Sequence, residues 1–185
     1  MKHNIELKFR ELLLKQISPG DLEQLRCWRN DLNKSAFLRK IPYITPELQL
    51  KWYMDYLIDS NQIGFSILSN ELLIGSVFLY NKDREKIEVG KIQIGDDRAH
   101  GKKYCSKCVG MVSMYAFQFL GVNRIILSVN SDNIAAYKSY TRIGFKEFDE
   151  AQSPSFYGGK EIYMSLEYYE LLKYFPEVNE MEIFE

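Results

Sequence analysis

Residues 124–130 read Arg-Ile-Ile-Leu-Ser-Val-Asn, and residues 133–145 read Asn-Ile-Ala-Ala-Tyr-Lys-Ser-Tyr-Thr-Arg-Ile-Gly-Phe. The first run is almost continuously apolar, which predicts a strand buried on both faces. The second run predicts a short helix over residues 133–142, which Gly144 ends because glycine readily takes the left-handed conformation that follows a helix. A further strand is expected over residues 145–148. This stretch therefore predicts a strand, a helix and a second strand in succession.

The chain before this stretch adds a long helix and a run of short strands. Apolar residues at spacings of three and four predict a helix over residues 102–120. Three β-like runs separated by turn residues predict an antiparallel meander, over residues 64–68, 72–80 and 86–95. A Ser-Pro and a Thr-Pro pair predict the starts of two earlier helices, over residues 21–30 and 45–58. With strands over residues 5–14 and 160–166, this order predicts an α/β (α+β) fold with a mixed, mostly antiparallel sheet flanked by helices.

The composition of the chain limits the classes of protein it can belong to. Its 185 residues are 46% hydrophobic and 26% charged with a formal net charge of -1, so they can bury a core but present no global basic field for nucleic acid. No apolar run approaches the roughly 18 residues of a membrane span, so no membrane partner is expected. Three cysteines are too few for a disulfide scaffold, which favours a reduced, cytoplasmic protein. A metal site built from His100, Cys105 and Cys108 would lack a fourth ligand, since the only other histidine is His3, so no metal is expected.

A polar turn, His100-Gly-Lys-Lys-Tyr-Cys105, lies between a predicted strand and the long predicted helix. Such a turn exposes backbone N–H groups at the positive end of the helix dipole, where an anion can bind. Arg98, His100, Lys102 and Lys103 add positive charge at this point. The pattern suits a pyrophosphate group, although a solvated basic turn is the alternative interpretation.

Residues 133–145 resemble the last core motif of the GNAT acetyltransferase superfamily. That motif runs Asn, two residues, a small residue, then Tyr, and ends in Gly-Phe; its positions correspond to Asn133, Ala136, Tyr140, Gly144 and Phe145. The resemblance extends over about residues 63–166. It implies a GNAT fold and an acetyl-CoA-dependent N-acetyltransferase.

The same resemblance places the acetyl-CoA loop, usually Arg/Gln-x-x-Gly-x-Gly/Ala, in the polar turn. One register puts His100, Lys103 and Cys105 at the motif positions, and a second matches Arg98 and Gly101 but again puts Lys103 at a small-residue position. Either register implies that the backbone amides around Gly101 to Cys105 hold the cofactor. The cofactor-binding residues implied in this way are Ile92, Ile94, Arg98, His100, Gly101, Lys102, Lys103, Tyr104, Cys105 and Asn133.

The family attacks the thioester directly, which implies roles for two further side chains. Amides near Ile92 and Ile94 would hold pantetheine and polarise the carbonyl. Tyr140 falls at the general-acid position, with a packed tyrosine as the alternative. Glu88 is the candidate base, acting directly or through water, with a solvent-facing strand carboxylate as the alternative.

The first third of the chain resembles GNAT enzymes that acetylate nucleotide-linked amino sugars, notably of the pseudaminic-acid type. The resemblance rests on residues 25–30 (Leu-Arg-Cys-Trp-Arg-Asn), Ile44-Thr45 and Trp52, and it implies that Trp28, Arg29 and Asn30 contact the acceptor. Ribosomal-protein N-terminal acetyltransferases share much of this layout and are one alternative; a CoA-binding module that has lost turnover is another. Packing of an amphipathic helix is the favoured interpretation of Trp52.

No linker or repeat divides the chain, so residues 1–185 are expected to form one domain. Acceptor-side helices are expected over about residues 18–58 and the cofactor-binding core over about residues 63–166. The tail, residues 167–185, is expected to be either packed or frayed. The acceptor is expected to be a small-molecule amine, and a homodimer is left open.

Overall fold

One mixed sheet of nine strands runs through the described part of the chain, residues 3–148 and 160–184 of a computed structural model. The strands are β1 (Glu6–Phe9), β2 (Leu12–Gln16), β3 (Gln62–Ser69), β4 (Leu72–Tyr80), β5 (Lys86–Ile94), β6 (Arg124–Asn130), β7 (Lys146–Glu147), β8 (Glu161–Glu167) and β9 (Glu182–Phe184). Their spatial order is β7-β8-β6-β5-β4-β3-β2-β1-β9. The β5–β6 pair is parallel and every other neighbouring pair is antiparallel, which confirms the predicted fold class.

Five α-helices flank this sheet in the same described ranges. They are α1 (Leu22–Asn30), α2 (Pro46–Ile58), α3 (Tyr104–Phe119), α4 (Ile134–Thr141) and α5 (Tyr168–Tyr174). The predicted helix starts are confirmed: the Thr45 hydroxyl accepts a hydrogen bond of 3.3 Å from the Leu48 amide and so caps α2. No helix in the described ranges is long and apolar enough to cross a membrane.

The helices cover opposite faces of the sheet, as alternate residues of β4 show. Val77 and Leu79 join the core cluster packed against α3, whereas Phe78 joins the cluster formed with α1 and α2. Leu25 of α1 and Tyr56 of α2 belong to that second cluster. The two sides of the sheet are therefore separately packed.

At the two ends of the chain the structure corrects one expectation and decides between two alternatives. Residues 5–14, expected as one strand, form the β1–β2 hairpin, because Arg10 adopts a left-handed φ of 54° and turns the chain. The tail is packed rather than frayed: Leu171 and Val178 are fully buried, and β9 pairs with β1. Residues 1–2, 149–159 and 185, which fall within the expected domain and its tail, lie outside the described residues.

Strand β6 is buried on one face only, so the expectation of burial on both faces was wrong. Ile125, Leu127 and Val129 are buried in the cluster beside α3. Ser128 and Asn130 point to the other face, where they are only half-buried and border a cavity. That uncovered face is where the candidate site lies.

Candidate active site

Strands β5 and β6 separate along their length and open a gap in the sheet. Their parallel pairing covers only the register from Lys86↔Arg124 to Glu88↔Ile126, although both strands continue beyond it. A cleft of about 950 Å³ opens at this gap and is lined by the second halves of both strands. A long, thin group can therefore enter the sheet between β5 and β6.

A β-bulge in β5 lies at the edge of the gap. Lys91 and Ile92 together oppose the single residue Val77 of β4, and Lys91 has a φ of 48°. Such a bulge bends the strand and turns a backbone N–H out of the ladder. Ile92 and Ile94 both line the cleft, so the structure places these two predicted residues beside it.

Beyond β5 the chain forms a short 3₁₀ turn, Asp97–Ala99, that leads into the basic loop. The Asp96 carboxylate accepts from the Arg98 amide at 2.8 Å and from Arg98 Nη2 at 2.5 Å. These hydrogen bonds from Arg98 lower the pKa of Asp96 to about 2. His100 Nε2 lies 3.9 Å from Asp97 Oδ1 and is well exposed. Neither Arg98 nor His100 lines the cleft; each is placed beside an aspartate of this turn.

The loop before α3 contains two left-handed residues, Gly101 with a φ of 76° and Lys103 with a φ of 59°. Glycine adopts this conformation without steric cost and a lysine does not, so Lys103 occupies a position that suits glycine. The side chains of Lys102 and Lys103 are exposed. The backbone amides that follow Lys103 begin the 16-residue helix α3, whose first turn has unsatisfied N–H groups.

Tyr104 is a packing residue at the start of α3. It is 5% exposed, and its hydroxyl lies 3.0 Å from Ser69 Oγ. The Nζ atoms of Lys102 and Lys107 lie 5.7 and 5.3 Å from the centre of its ring. Its side chain is therefore packed inward, away from the exposed loop.

Tyr140 is buried on α4 and faces the cleft. It is 6% exposed, and burial raises the pKa of its hydroxyl well above the ordinary value. The hydroxyl interacts with the thiol of Cys105, whose pKa burial raises to about 11. Asn133, which also lines the cleft, begins α4: its Oδ1 accepts from the Ala136 amide at 3.1 Å. Both Tyr140 and Cys105 stay protonated near neutral pH, so Tyr140 is a hydrogen-bond donor.

Glu88 lines the same cleft and is held by two neighbours. Tyr80 Oη donates to Glu88 Oε1 at 2.7 Å, and Asn81 Nδ2 donates to Oε2 at 2.9 Å. All three residues border the cleft together with Tyr140. The sequence identified Glu88 but not Tyr80 or Asn81, because their contact depends on the register of β4 against β5.

Of the three predicted acceptor residues, Arg29 lines the cleft and the other two do not. Trp28 is 7% exposed and packs flat against Gly95, whose place no larger residue could take. Asn30 donates from Nδ2 to the Ile44 carbonyl at 2.9 Å and accepts from the Ile44 amide at 2.9 Å. The Trp28 side chain thus packs in the core, and the Asn30 side chain fastens the segment before α2; contact of either residue with an acceptor stays a prediction.

The segment between α1 and α2, residues 31–45, forms one wall of the cleft and was missed from the sequence. Arg29 Nη2 donates to the carbonyl of Arg39, and Lys34 Nζ donates to Gly95 O at 2.7 Å and to Asp97 Oδ1 at 2.6 Å. These contacts fasten the segment to α1 and to the start of the basic loop. The sequence of this segment does contain a sign of its role, a cluster of basic and apolar residues. Phe37, Ile41 and Tyr43 are more hydrophobic than a surface loop that only connects two helices requires.

A family profile described as an acetyltransferase (GNAT) domain matches residues 11–146. The chain belongs to the GNAT acetyltransferase family. It is thus an N-acetyltransferase that uses acetyl-CoA, which confirms the family, the fold and the activity expected from residues 124–145.

Among relatives of this GNAT enzyme is the acetyltransferase PseH of Campylobacter jejuni. It is 27% identical over 135 residues, which cover 73% of this chain and 83% of PseH. The solved structure of Vibrio cholerae spermidine N-acetyltransferase with CoA and spermine has a TM-score of 0.77 at 22% identity, covering 89% of this chain and 99% of that one. PseH in complex with acetyl coenzyme A has a TM-score of 0.64 at 22% identity, covering 85% and 99%. At these identities the two structures show a shared fold.

Proposed function

We propose that this GNAT enzyme transfers the acetyl group of acetyl-CoA to a primary amine of a small, anionic acceptor, and that the acceptor is a nucleotide-linked amino sugar. One observation carries the proposal. A single cleft joins the gap between β5 and β6, Tyr140 and Glu88 to a wall that bears basic side chains.

The cleft has two features whose shape and charge suit acetyl-CoA, the donor of the acetyl group. The gap beside Ile92 and Ile94 can take the pantetheine arm, because the edges of strands that part there present backbone groups to a ligand. The amides of residues 103–105 and the positive end of α3 suit the pyrophosphate. Lys102 and Lys103 add charge at that end.

The chemistry follows from the side chains around the gap. The neutral amine attacks the thioester carbonyl, and an amide near Ile92 stabilises the negative charge that develops on the oxygen. As the tetrahedral intermediate collapses, the C–S bond breaks and Tyr140 donates its hydrogen bond, or its proton, to the leaving thiolate. Glu88 takes the proton that the amine loses, directly or through water.

The charge of the cleft favours an anionic acceptor over a polycation. The basic and carboxylate side chains that line it are Arg29, Lys34, Arg39, Lys91, Glu88 and Glu161. Bases outnumber carboxylates, and a diphosphate near Arg29 and Arg39 would find planar guanidinium donors. A polyamine would instead meet charges of its own sign. The relationship to PseH supports the amino-sugar class, whereas the likeness to spermidine acetyltransferase extends only to the fold.

A panel of three amines tests this proposal. A UDP-linked 4-amino sugar, spermidine and a peptide with a free N-terminus are each incubated with acetyl-CoA and the purified protein, and products are identified by mass spectrometry. We expect acetylation of the sugar nucleotide with the highest kcat/KM. Preferred acetylation of spermidine or of the peptide would overturn the acceptor assignment. Binding of CoA without acetylation of any of the three would indicate a CoA-binding module.

A cytoplasmic location, where acetyl-CoA is available and thiols stay reduced, is consistent with the proposed reaction. Its three cysteines are unpaired: Cys27 is exposed, Cys105 half-buried and Cys108 buried. These features fit the expected cytoplasmic location.

A further inference from the structure

Lys91 belongs to the β-bulge of β5 and lines the cleft. In a regular strand it would share a face with Val89, which is buried in the core cluster packed against α3. The bulge instead places its Nζ atom on the opposite face, 5.2 Å from the centre of the Phe78 ring and 5.0 Å from that of Tyr80. A lysine rarely adopts a φ of 48°, and backbone strain of this kind is concentrated at functional sites. The backbone is therefore strained at the point where it brings a cation into the cleft.

The Lys91 ammonium contacts neutral groups. It donates to Gln62 Oε1 at 2.7 Å and lies over the two aromatic rings, and it forms no ion pair with a carboxylate in the described part of the chain. Burial of the amine lowers its pKa, although the charges of Asp59 and Glu88 act in the opposite direction. The residue is exposed, so a ligand in the cleft can reach it. A partly desolvated cation held by neutral groups favours an anionic ligand.

One tyrosine ring separates this ammonium from the proposed base. The centre of the Tyr80 ring lies 5.0 Å from Lys91 Nζ, and its hydroxyl donates to Glu88 Oε1 at 2.7 Å. All three residues line the same cleft. A pyranose ring is similar in width to a phenol ring, so an acceptor whose amine lies at Glu88 can place a substituent on the far side of its own ring at Lys91. An amine on the neighbouring ring atom would not span this separation.

We propose that Lys91 binds a phosphate group attached to the sugar ring of the acceptor, and that this contact selects acceptors whose amine lies across the ring from the phosphate. The inference rests on the proposed function in taking Glu88 to face the amine of an anionic acceptor. Lys34, another lysine of the cleft, already pairs with Asp97 at 2.6 Å. A hydrogen bond from an ammonium to a phosphate is stronger than one between neutral groups, so Lys91 gains a better partner than the Gln62 amide.

The first experiment compares three acceptors of the purified protein. A 4-amino sugar 1-phosphate has the expected spacing, the methyl glycoside of the same sugar has no anion, and glucosamine 1-phosphate carries its amine next to the phosphate-bearing carbon. Wild type should acetylate the first with the highest kcat/KM. Lys91→Met should lower kcat/KM for that acceptor by about 10-fold and change the values for the other two little. Lys51→Met should leave all three unchanged, because Lys51 is exposed on α2 and does not line the cleft.

Two results of this comparison would overturn the inference. One is an equal loss for all three acceptors in Lys91→Met, which would indicate a structural role for the lysine. The other is a wild-type preference for glucosamine 1-phosphate or for the methyl glycoside, which would exclude selection by the spacing of amine and phosphate.

A second experiment needs no enzymatic turnover and separates this inference from the proposed function. The purified protein is treated with acetic anhydride, and labelling of individual lysines is followed by peptide mass spectrometry. Glucose 1-phosphate should slow the labelling of Lys91 but not of Lys51, and glucose should slow neither, because a bound phosphate keeps the Lys91 amine protonated. This result would support the inference even if no amine of the panel is acetylated. Unchanged labelling of Lys91 with glucose 1-phosphate would overturn it, whatever the activity of the enzyme.

Discussion

The hydroxyl of Tyr80 donates a 2.7 Å hydrogen bond to Glu88 Oε1, across two strands in which these residues are directly paired. Asn81 Nδ2 binds the other carboxylate oxygen. Gly90 makes room for this arrangement, because a larger residue there would collide with Tyr80 Oη. The carboxylate is thereby fixed in orientation at the wall of the cleft, as a base acting on a bound amine requires.

Glu88→Gln should lower kcat by about 10²–10⁴-fold, because the amide keeps the shape of the side chain but cannot take a proton. Affinity for acetyl-CoA should stay nearly constant, since the role proposed for Glu88 concerns the amine and not the cofactor. Steady-state kinetics and CoA titration measure the two effects. Glu85→Gln, a neighbouring exposed carboxylate, is the control. Normal turnover in Glu88→Gln would leave deprotonation of the amine to water.

Lys103→Gly should stabilise the protein. A non-glycine residue in the left-handed conformation costs about 1 kcal/mol, and relief of that cost should raise the melting temperature by roughly 2–4 °C. Lys103→Ala is the matched control, because it removes the same charge but keeps the strained Cβ. If Lys103→Gly melts no higher than Lys103→Ala, the backbone at this position is not strained.

The sequence predicted a helix or a strand well where the residues that determine it lie within one short segment. The Thr45-Pro46 helix start and the strand over 72–80 are examples. Tyr140 and Glu88 could likewise be placed near the cleft by the motif and strand in which they occur.

Contacts between distant segments could not be predicted in this way. Trp28 belongs to the core because it packs against Gly95. Gly95 lies far from Trp28 in the sequence, so the residues around Trp28 do not indicate this contact. The pairing of β9 with β1 joins the two ends of the chain. The ion pair between Lys34 of the wall segment and Asp97 also joins residues that are far apart in the sequence. Such contacts depend on register and chain path, which a single sequence does not reveal.

Asp96→Asn should lower the free energy of unfolding at neutral pH. In acid, the difference between the variant and wild type should disappear. Hydrogen bonds from Arg98 lower the pKa of Asp96 from 3.8 to about 2. A carboxyl group whose pKa is lowered by folding stabilises the folded state above its unfolded pKa, and this contribution is lost as pH falls from about 4 through about 2. Urea unfolding of wild type and variant should therefore give a constant difference above about pH 5 that shrinks below about pH 4. A difference that persists unchanged into that acid range would contradict the role of the charge.

Arg29→Ala should raise the Michaelis constant for the acceptor and leave that for acetyl-CoA nearly unchanged. Arg29 borders the cleft and donates to the carbonyl of Arg39 in the wall segment, residues 31–45. We expect a rise of about 10-fold, the scale of one charge-assisted hydrogen bond. Arg124→Ala is the comparison, since Arg124 is exposed, lies 3.8 Å from Glu167 and does not line the cleft. Equal increases in both constants for Arg29→Ala would indicate a structural role.

Tyr140→Phe removes one oxygen and keeps the ring that packs against Phe145, at 5.9 Å between ring centres. If the hydroxyl donates to the leaving thiolate, kcat should fall by about 10²–10⁴-fold. Binding of acetyl-CoA should change little, because the contact strengthens only as charge develops on sulfur. Burial already holds the hydroxyl protonated, so the loss should be similar from about pH 6 to pH 9. Kinetics across that pH range, with melting temperature measured in parallel, test the assignment. A lower melting temperature with normal turnover would make Tyr140 a packing residue, and the amides near Ile92 would then carry the catalysis.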